Sequence, residues 1–238
     1  MDLEVCLEIA KTCLLENIRS HFKDGMTIMV GGFGVPGTPF TLIDVLIDSG
    51  ASDLTLIKNE ANEDGMGLSK LIEANRVQKL ITSHLGLNAT VIGMMNRHEI
   101  EVAFYPQGIL AEKIRAGGAG LLGILTDIGI DTILAEKREK GTVDGQLAII
   151  EPALRASVAL IHAAVADRFG NLIYEKSARN FNPIMATAAA SVIVEAEKLV
   201  ECGELAPDQI HTPGAFTDKI VVLDTLTKEY GILEHHVP

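Results

Sequence analysis

Apolar residues along this chain fall into short blocks that alternate with stretches where they recur every third or fourth position. The short blocks read as buried strands and the periodic stretches as amphipathic helices. Leu3, Leu7, Ala10, Leu14 and Ile18 keep helical spacing and predict a helix over residues 3–22. Asp24-Gly25 marks a turn, and residues 27–30 form an apolar block that predicts a central strand. Thr38 is the expected N-cap of the next helix, with Pro39 in its first turn and Ser49-Gly50 at its end. Phe40, Ile43, Val45, Leu46 and Ile47 supply that helix's apolar side.

The unit then repeats. A strand over 54–57, a polar loop over 58–67 and a helix over 68–74 are followed by a strand over 79–83 and a helix over 89–95. A strand over 102–105 and a helix over 109–116 complete the series. Strand, loop and helix repeated four times predict an α/β fold, a largely parallel sheet with helices on both faces. The second half is less regular. Residues 126–144 read as loop, with a solvated charge run over 136–140; residues 147–150, 158–165, 191–194 and 220–223 read as strands, and the alanine-rich stretch 186–190 as helix. No linker-like stretch divides the chain. One domain over residues 1–238 is expected, with its core at about 24–224 and a short C-terminal tail.

Composition narrows the functional classes. Hydrophobic residues make up 47% of 238, enough for a substantial core. The net charge of −12 argues against nucleic acid or an anionic membrane surface as partner, because both need a basic footprint. The longest apolar run, 156–166, is interrupted by Ser157 and His162 and is too short to span a bilayer. The start, Met1-Asp2-Leu3-Glu4, lacks the basic residues of a signal peptide, so a cytoplasmic setting is expected. Cys6, Cys13 and Cys202 show no metal spacing and read as small apolar residues.

The segment after the first strand carries the most chemistry. Gly32, Gly34 and Gly37 satisfy G-x-G-x-x-G, which lets backbone approach an anionic ligand ahead of a helix N-terminus. A dinucleotide site also needs an acid at the end of the second strand. Asp53 lies at that strand's start instead, Glu60 fits the spacing poorly, and Pro36 and Pro39 remove two N–H groups. A nicotinamide-dependent dehydrogenase is therefore the weaker reading of this loop.

The wider pattern from Asp24 to Pro39 (Asp-Gly, two residues, three apolar residues, Gly-Gly-Phe, three residues, Gly, one residue, Pro) resembles the signature of the α (A) subunit of class I, glutamate-dependent CoA-transferases. Further blocks are similar in family order: Ser83-His84-Leu85-Gly86-Leu87-Asn88; Tyr105-Pro106-Gln107-Gly108; Arg115-Ala116-Gly117-Gly118-Ala119-Gly120; Asp167-Arg168-Phe169-Gly170-Asn171; and Ser177-Ala178-Arg179-Asn180-Phe181-Asn182. The likeness runs over most of the chain and is greatest to bacterial acetate and acetoacetate CoA-transferase α subunits.

The resemblance implies a ping-pong reaction through a glutamyl-CoA thioester, with CoA and acyl-CoA as substrates and no permanently bound cofactor or metal. The family's nucleophile sits in a Ser-Glu-Asn-Gly motif on the β (B) subunit. This chain has no Ser-Glu dipeptide, so a partner subunit is implied, in a heterodimer or heterotetramer. Gln107 is the implied oxyanion donor, a neutral amide that cannot titrate. Gly31, Gly32, Phe33, Gly34, Val35, Pro36 and Gly37 would line the acyl or CoA pocket, with Gly117, Gly118, Ala119 and Gly120 as a second small-residue loop. Asn59 and Glu60 are also expected among the substrate-binding residues; they stand where relatives often carry an uncharged run, as Thr126-Asp127-Ile128-Gly129 stands where they often carry Thr-Pro-Thr-Gly, and both loops are placed to touch substrate. Glu63, Glu99, Glu101 and Glu112 read as surface or packing residues, and His84 as structural. A non-catalytic subunit that binds CoA or another anion is the alternative of a different class.

Overall fold

Within each strand, successive side chains point to opposite faces, and here both sets are apolar. Ile28 and Val30 join Leu54, Leu56, Leu80 and Leu160 in one buried cluster; Met29 joins Ile57, Ile81, Ala159 and Ile161 in another. Two buried faces require helices on both sides, and the computed structural model, which describes residues 11–136 and 138–231, has them. The first half runs β1 (Thr27–Val30), α1 (Phe40–Ser49), β2 (Leu54–Ile57), α2 (Leu68–Glu73), β3 (Val77–Thr82), α3 (Ala89–Asn96), β4 (Glu101–Phe104) and α4 (Gln107–Gly118). Helices α1, α2 and α3 cover the first face, and α4 packs on the second.

The remainder runs β5 (Gly123–Thr126), β6 (Lys140–Val143), β7 (Gln146–Pro152), β8 (Ala156–Asp167), β9 (Leu172–Ile173), α5 (Asn182–Thr187), β10 (Ala189–Val200) and β11 (Lys219–Val222). The main sheet has the order β11-β10-β8-β1-β2-β3-β4, parallel throughout, with β9 added antiparallel to β8. Central strand β1 thus has β2 on one side and β8 on the other, Ile28 pairing with Leu56 and with Val158. A second, antiparallel sheet has the order β5-β7-β6. Its buried Glu151 holds it to the main body through Lys113 of α4 at 2.5 Å, and Arg138 reaches the same carboxylate at 3.0 Å. Both cations lie over the Tyr105 ring.

Four expectations need correction. Residues 3–10 lie outside the described residues, but residues 11–22 do not continue a helix. Thr12 bridges to Ile220, and Leu15–Asn17 and Arg19–His21 are single 3-10 turns; of the two described residues that kept the helical spacing, Ile18 is buried and Leu14 is exposed. Residues 126–144 are not all loop: they include the end of β5 and all of β6, whose side chains are mostly exposed and whose turn, Asp144-Gly145, carries positive φ at both positions. The charge run there is not wholly solvated, since Arg138 pairs with the buried Glu151. Residues 186–190 are not one helix, because α5 ends at Thr187 and Ala189, the first residue of β10, already pairs with Ala156 of β8; sheet context overrides alanine's helix preference.

Candidate active-site cleft

Because β1, β2, β3 and β4 run parallel, the loops that follow them share one edge of the sheet, where α/β folds bind ligands. The glycine loop follows β1. Gly31 N–H donates to Leu160 C=O (2.9 Å), Phe33 N–H to Pro36 C=O (3.1 Å) and Thr38 N–H to Val35 C=O (3.1 Å). The Thr38 hydroxyl donates to Gly34 C=O at 2.7 Å and does not cap α1, whose N-cap is Pro39. The capping role passes to a distant residue: Glu195 of β10 accepts Leu42 N–H at 2.9 Å.

Two asparagines clamp the loop from behind. Asn180 Nδ2 donates to Pro36 C=O (2.9 Å), and Asn182 Nδ2 donates to Gly37 C=O (3.0 Å). The closeness explains the glycines. A Cβ on Gly31 would lie 1.8 Å from Asn182 Oδ1, and one on Gly37 2.5 Å from Ala178 C=O, at a φ of +71°. The same geometry weakens the dinucleotide reading. Several loop N–H groups are consumed internally, Pro36 and Pro39 have none, and Asp53 (φ +56°) precedes β2 at the opposite edge of the sheet.

Phe33 is 44% exposed at the loop tip, outside the core. It shares a cavity with Gln107, Ala111, Asn180, Phe181 and Ile184, so the two residues singled out as acyl wall and oxyanion donor meet in one cleft. Gln107 is the first residue of α4, immediately after Pro106, and is solvent-exposed. The first-turn N–H groups of that helix have no intrahelical acceptors, and its dipole places partial positive charge beside the Gln107 amide.

A second cavity adjoins the loop's other side. Gly34 and Val35 line it together with Glu60, Ala61, Asn62, Met66, His84 and Leu85. Glu60 is buried, and both its oxygens are engaged, by Lys58 Nζ at 2.6 Å and Asn59 Nδ2 at 2.7 Å. Asn59 Oδ1 in turn accepts the Ser83 hydroxyl at 2.8 Å. His84 is exposed and pairs its Nδ1 with Ser83 Oγ at 3.2 Å. Glu99, Glu101 and Glu112 form surface ion pairs with Arg97, Lys79 and Arg115.

The second small-residue stretch is not brought to Gln107. Gly117 and Gly118 are the last turn of α4 rather than a loop, with Ala119 as C-cap and Gly120 at φ +74°. Their end of the helix is about 17 Å from Gln107 at 1.5 Å per residue. Close packing accounts for the two helical glycines: a Cβ on Gly117 would lie 1.9 Å from Leu154 C=O, and one on Gly118 2.0 Å from Thr187 Oγ1. The Thr126-to-Gly129 segment leaves the end of β5 on the small sheet.

Sequence reasoning missed a polar cluster beneath the loop. His162, 2% exposed, lies between Glu195 (Nδ1, 2.9 Å) and Glu197 (Nε2, 2.9 Å). Burial alone would lower its pKa; the hydrogen bonds and charges of the two carboxylates outweigh that and raise it to about 9. Burial pushes the Glu195 carboxyl up, while His162 and the N–H groups of Leu42 and Thr41 draw it back. Tyr230 packs against His162 with the rings tilted (centroids 5.0 Å, 36°) and donates its hydroxyl to Thr38 C=O. The available signal was a histidine interrupting the apolar run of β8 and a glutamate interrupting that of β10.

Comparison with known proteins gives the family. Residues 13–223 match the family model described as coenzyme A transferase. The chain is 48% identical over 212 residues to the acetate CoA-transferase subunit alpha of Escherichia coli strain K12, covering 89% of this chain and 96% of that one. It is 45% identical, also over 212 residues, to the acetoacetyl-CoA:acetate/butyrate CoA transferase alpha subunit of Clostridium acetobutylicum, covering 89% and 97%. Among solved structures, an acyl-CoA transferase from Escherichia coli O157:H7, in a thioester complex with CoA, superposes with a TM-score of 0.83 at 22% identity. That likeness covers 93% of this chain but 51% of the other, so this chain spans about half of its length.

Proposed function

The chain belongs to the coenzyme A transferase family, and on that premise we propose that it is the α subunit of a two-chain enzyme that moves CoA between short acyl groups and carboxylates such as acetoacetate, acetate and butyrate. The observation that carries this reading is the cleft that joins Phe33 of the glycine loop to Gln107 at the C-terminal edge of the parallel sheet. The high identity to named α subunits over nearly their full lengths supports a partner subunit. CoA enters as a substrate rather than as a resident cofactor, and the proposed setting is the cytoplasm.

The chemistry follows from the pieces. A glutamate carboxylate of the partner adds to the thioester carbonyl of acyl-CoA. The C–S bond breaks, leaving an acyl-glutamyl anhydride and CoA thiolate. The thiolate adds to the glutamyl carbonyl and expels the acyl group as its carboxylate, which leaves glutamyl-CoA. An incoming carboxylate reverses these steps to give the new acyl-CoA. Each addition creates an oxyanion, and the Gln107 amide at the α4 N-terminus is the donor this chain offers it. Gly31 to Gly37 line the approach, Phe33 bounds the acyl group, and Glu60 lines the adjoining cavity with Asn59 bonded to its carboxylate.

The test is reconstitution. Co-expressed with a second chain carrying Ser-Glu-Asn-Gly, this chain is expected to transfer CoA between acetyl-CoA and acetoacetate with ping-pong kinetics. Borohydride should inactivate the pair only when acyl-CoA is present. Full transferase activity of this chain alone would overturn the split-site reading, and tight NAD binding would favour the dehydrogenase reading.

A further inference from the structure

The glycine loop is held on three sides. Its start hangs on β8 through Leu160, its end is clamped by Asn180 and Asn182, and its rear rests on a residue from the far end of the described chain, Tyr230. That side chain makes three independent contacts. Its hydroxyl donates to Thr38 C=O, its ring meets Phe40 edge-on (5.0 Å, 82°), and it also packs, tilted, against the His162 imidazole (5.0 Å, 36°). Phe40, together with Val35 and Met66, forms a small buried cluster against which Tyr230 packs, separate from the two main clusters. Val35 belongs to the loop itself and, with Met66, also lines the cavity beside Glu60. The segment bearing Tyr230 is tied down next door, where Glu229 accepts Lys70 Nζ at 2.6 Å.

We propose that Tyr230 is a positioning residue, a strap whose hydroxyl and ring fix the rear of the glycine loop so that Phe33 and Val35 present one geometry to the acyl-CoA substrate. Tyr230 lines neither of the two cavities beside the loop, so it acts through Thr38 and Val35 and not on the substrate. His162, pinned by Glu195 and Glu197, is the platform against which the ring is set. A loop loosened at its rear still carries the same groups. It must be ordered when substrate binds, so the strap is expected to act on KM more than on kcat. The kinetic part of this inference rests on the transferase reading above; the structural part does not.

Tyr230→Phe removes one hydrogen bond and keeps the ring. Two measurements test it. In the isolated chain, amide hydrogen exchange of a peptide covering residues 31–42 is expected to quicken by about fivefold, while peptides from β3 and β10 stay unchanged. In the reconstituted pair, KM for acyl-CoA is expected to rise by about the same factor with kcat within about twofold. Unchanged exchange in the loop, or equal acceleration in every peptide, would overturn the strap. If the wild-type pair shows no transferase activity, the functional reading falls while the exchange experiment still decides the strap.

Discussion

Gln107 and Lys58 are opposite cases among the polar residues near the glycine loop's cavities, one exposed at a helix start and the other fully buried behind Glu60. Gln107 makes its proposed contribution only when charge develops on a reacting oxygen. Gln107→Ala in the assembled enzyme should therefore lower turnover by about two to three decades with assembly intact, the usual effect of losing one oxyanion donor. Near wild-type turnover would remove the assignment. Lys58 works in the ground state. Its ammonium neutralises a carboxylate that has almost no contact with water, so Lys58→Met should cost about 3–5 kcal/mol by leaving Glu60 charged and unpaired. Urea denaturation would measure this, and the double variant Lys58→Met/Glu60→Leu should recover most of the loss. If the single variant is as stable as wild type, the pair is not the structural element described here. Gln107 was legible in the sequence because the block around it has a family likeness. Lys58 was not, since nothing in its immediate sequence says that a lysine after a strand is buried.

Strands β8 and β10 carry the histidine cluster between them, with His162 and Glu195 directly paired in register. The sign of its pH dependence follows from the raised imidazole pKa. Protons are held more tightly by the folded chain than by the unfolded one, whose histidines titrate near 6.5. The stabilisation is complete below about 6.5 and is lost as pH rises through about 9, up to about 3 kcal/mol in all. Unfolding midpoints in urea from pH 6 to pH 10 should show this fall. In Glu197→Gln, which keeps a hydrogen-bonding group but removes one charge, the fall should move to lower pH. A midpoint that does not change over this interval would contradict a charged His162. At this scale the first half of the chain was legible: β1 to β4 and the helices between them fall within a few residues of their expected places, because β1 and β2 are short, mostly apolar blocks and the turns before them carry Gly or Asp. Of the small sheet only β7 was legible, as the strand expected over 147–150; β5 and β6 were not, because they are short and carry few buried side chains, without the alternation that marks a half-buried strand.

For the molecule as a whole, the parallel α/β architecture could be read from pattern alone. The order of strands could not, because nothing local to residues 27–30 says that their second neighbour is β8. The same limit applies to the cleft. Its glycine loop and Gln107 announced themselves in sequence, whereas the asparagine clamp and the tyrosine behind the loop depend on contacts between distant segments. Gly117 and Gly118 show the converse: a motif can be visible in sequence while its immediate physical reason is the close crossing of α4 with α5 and the backbone before β8.

The position of β8 between β1 and β10 also orders events in time. Strands β1 to β4 can come together through short crossovers, each closing a small loop of chain. The glycine loop has no backing until β8 supplies Leu160, residues 180 and 182 arrive ahead of β10, and residue 230 closes over Thr38. The half of the sheet that bears the loop is thus among the earliest parts able to form, and the loop itself among the last. A folding intermediate that has docked its first four strands would hold every residue of the glycine motif and still lack the shape that binds.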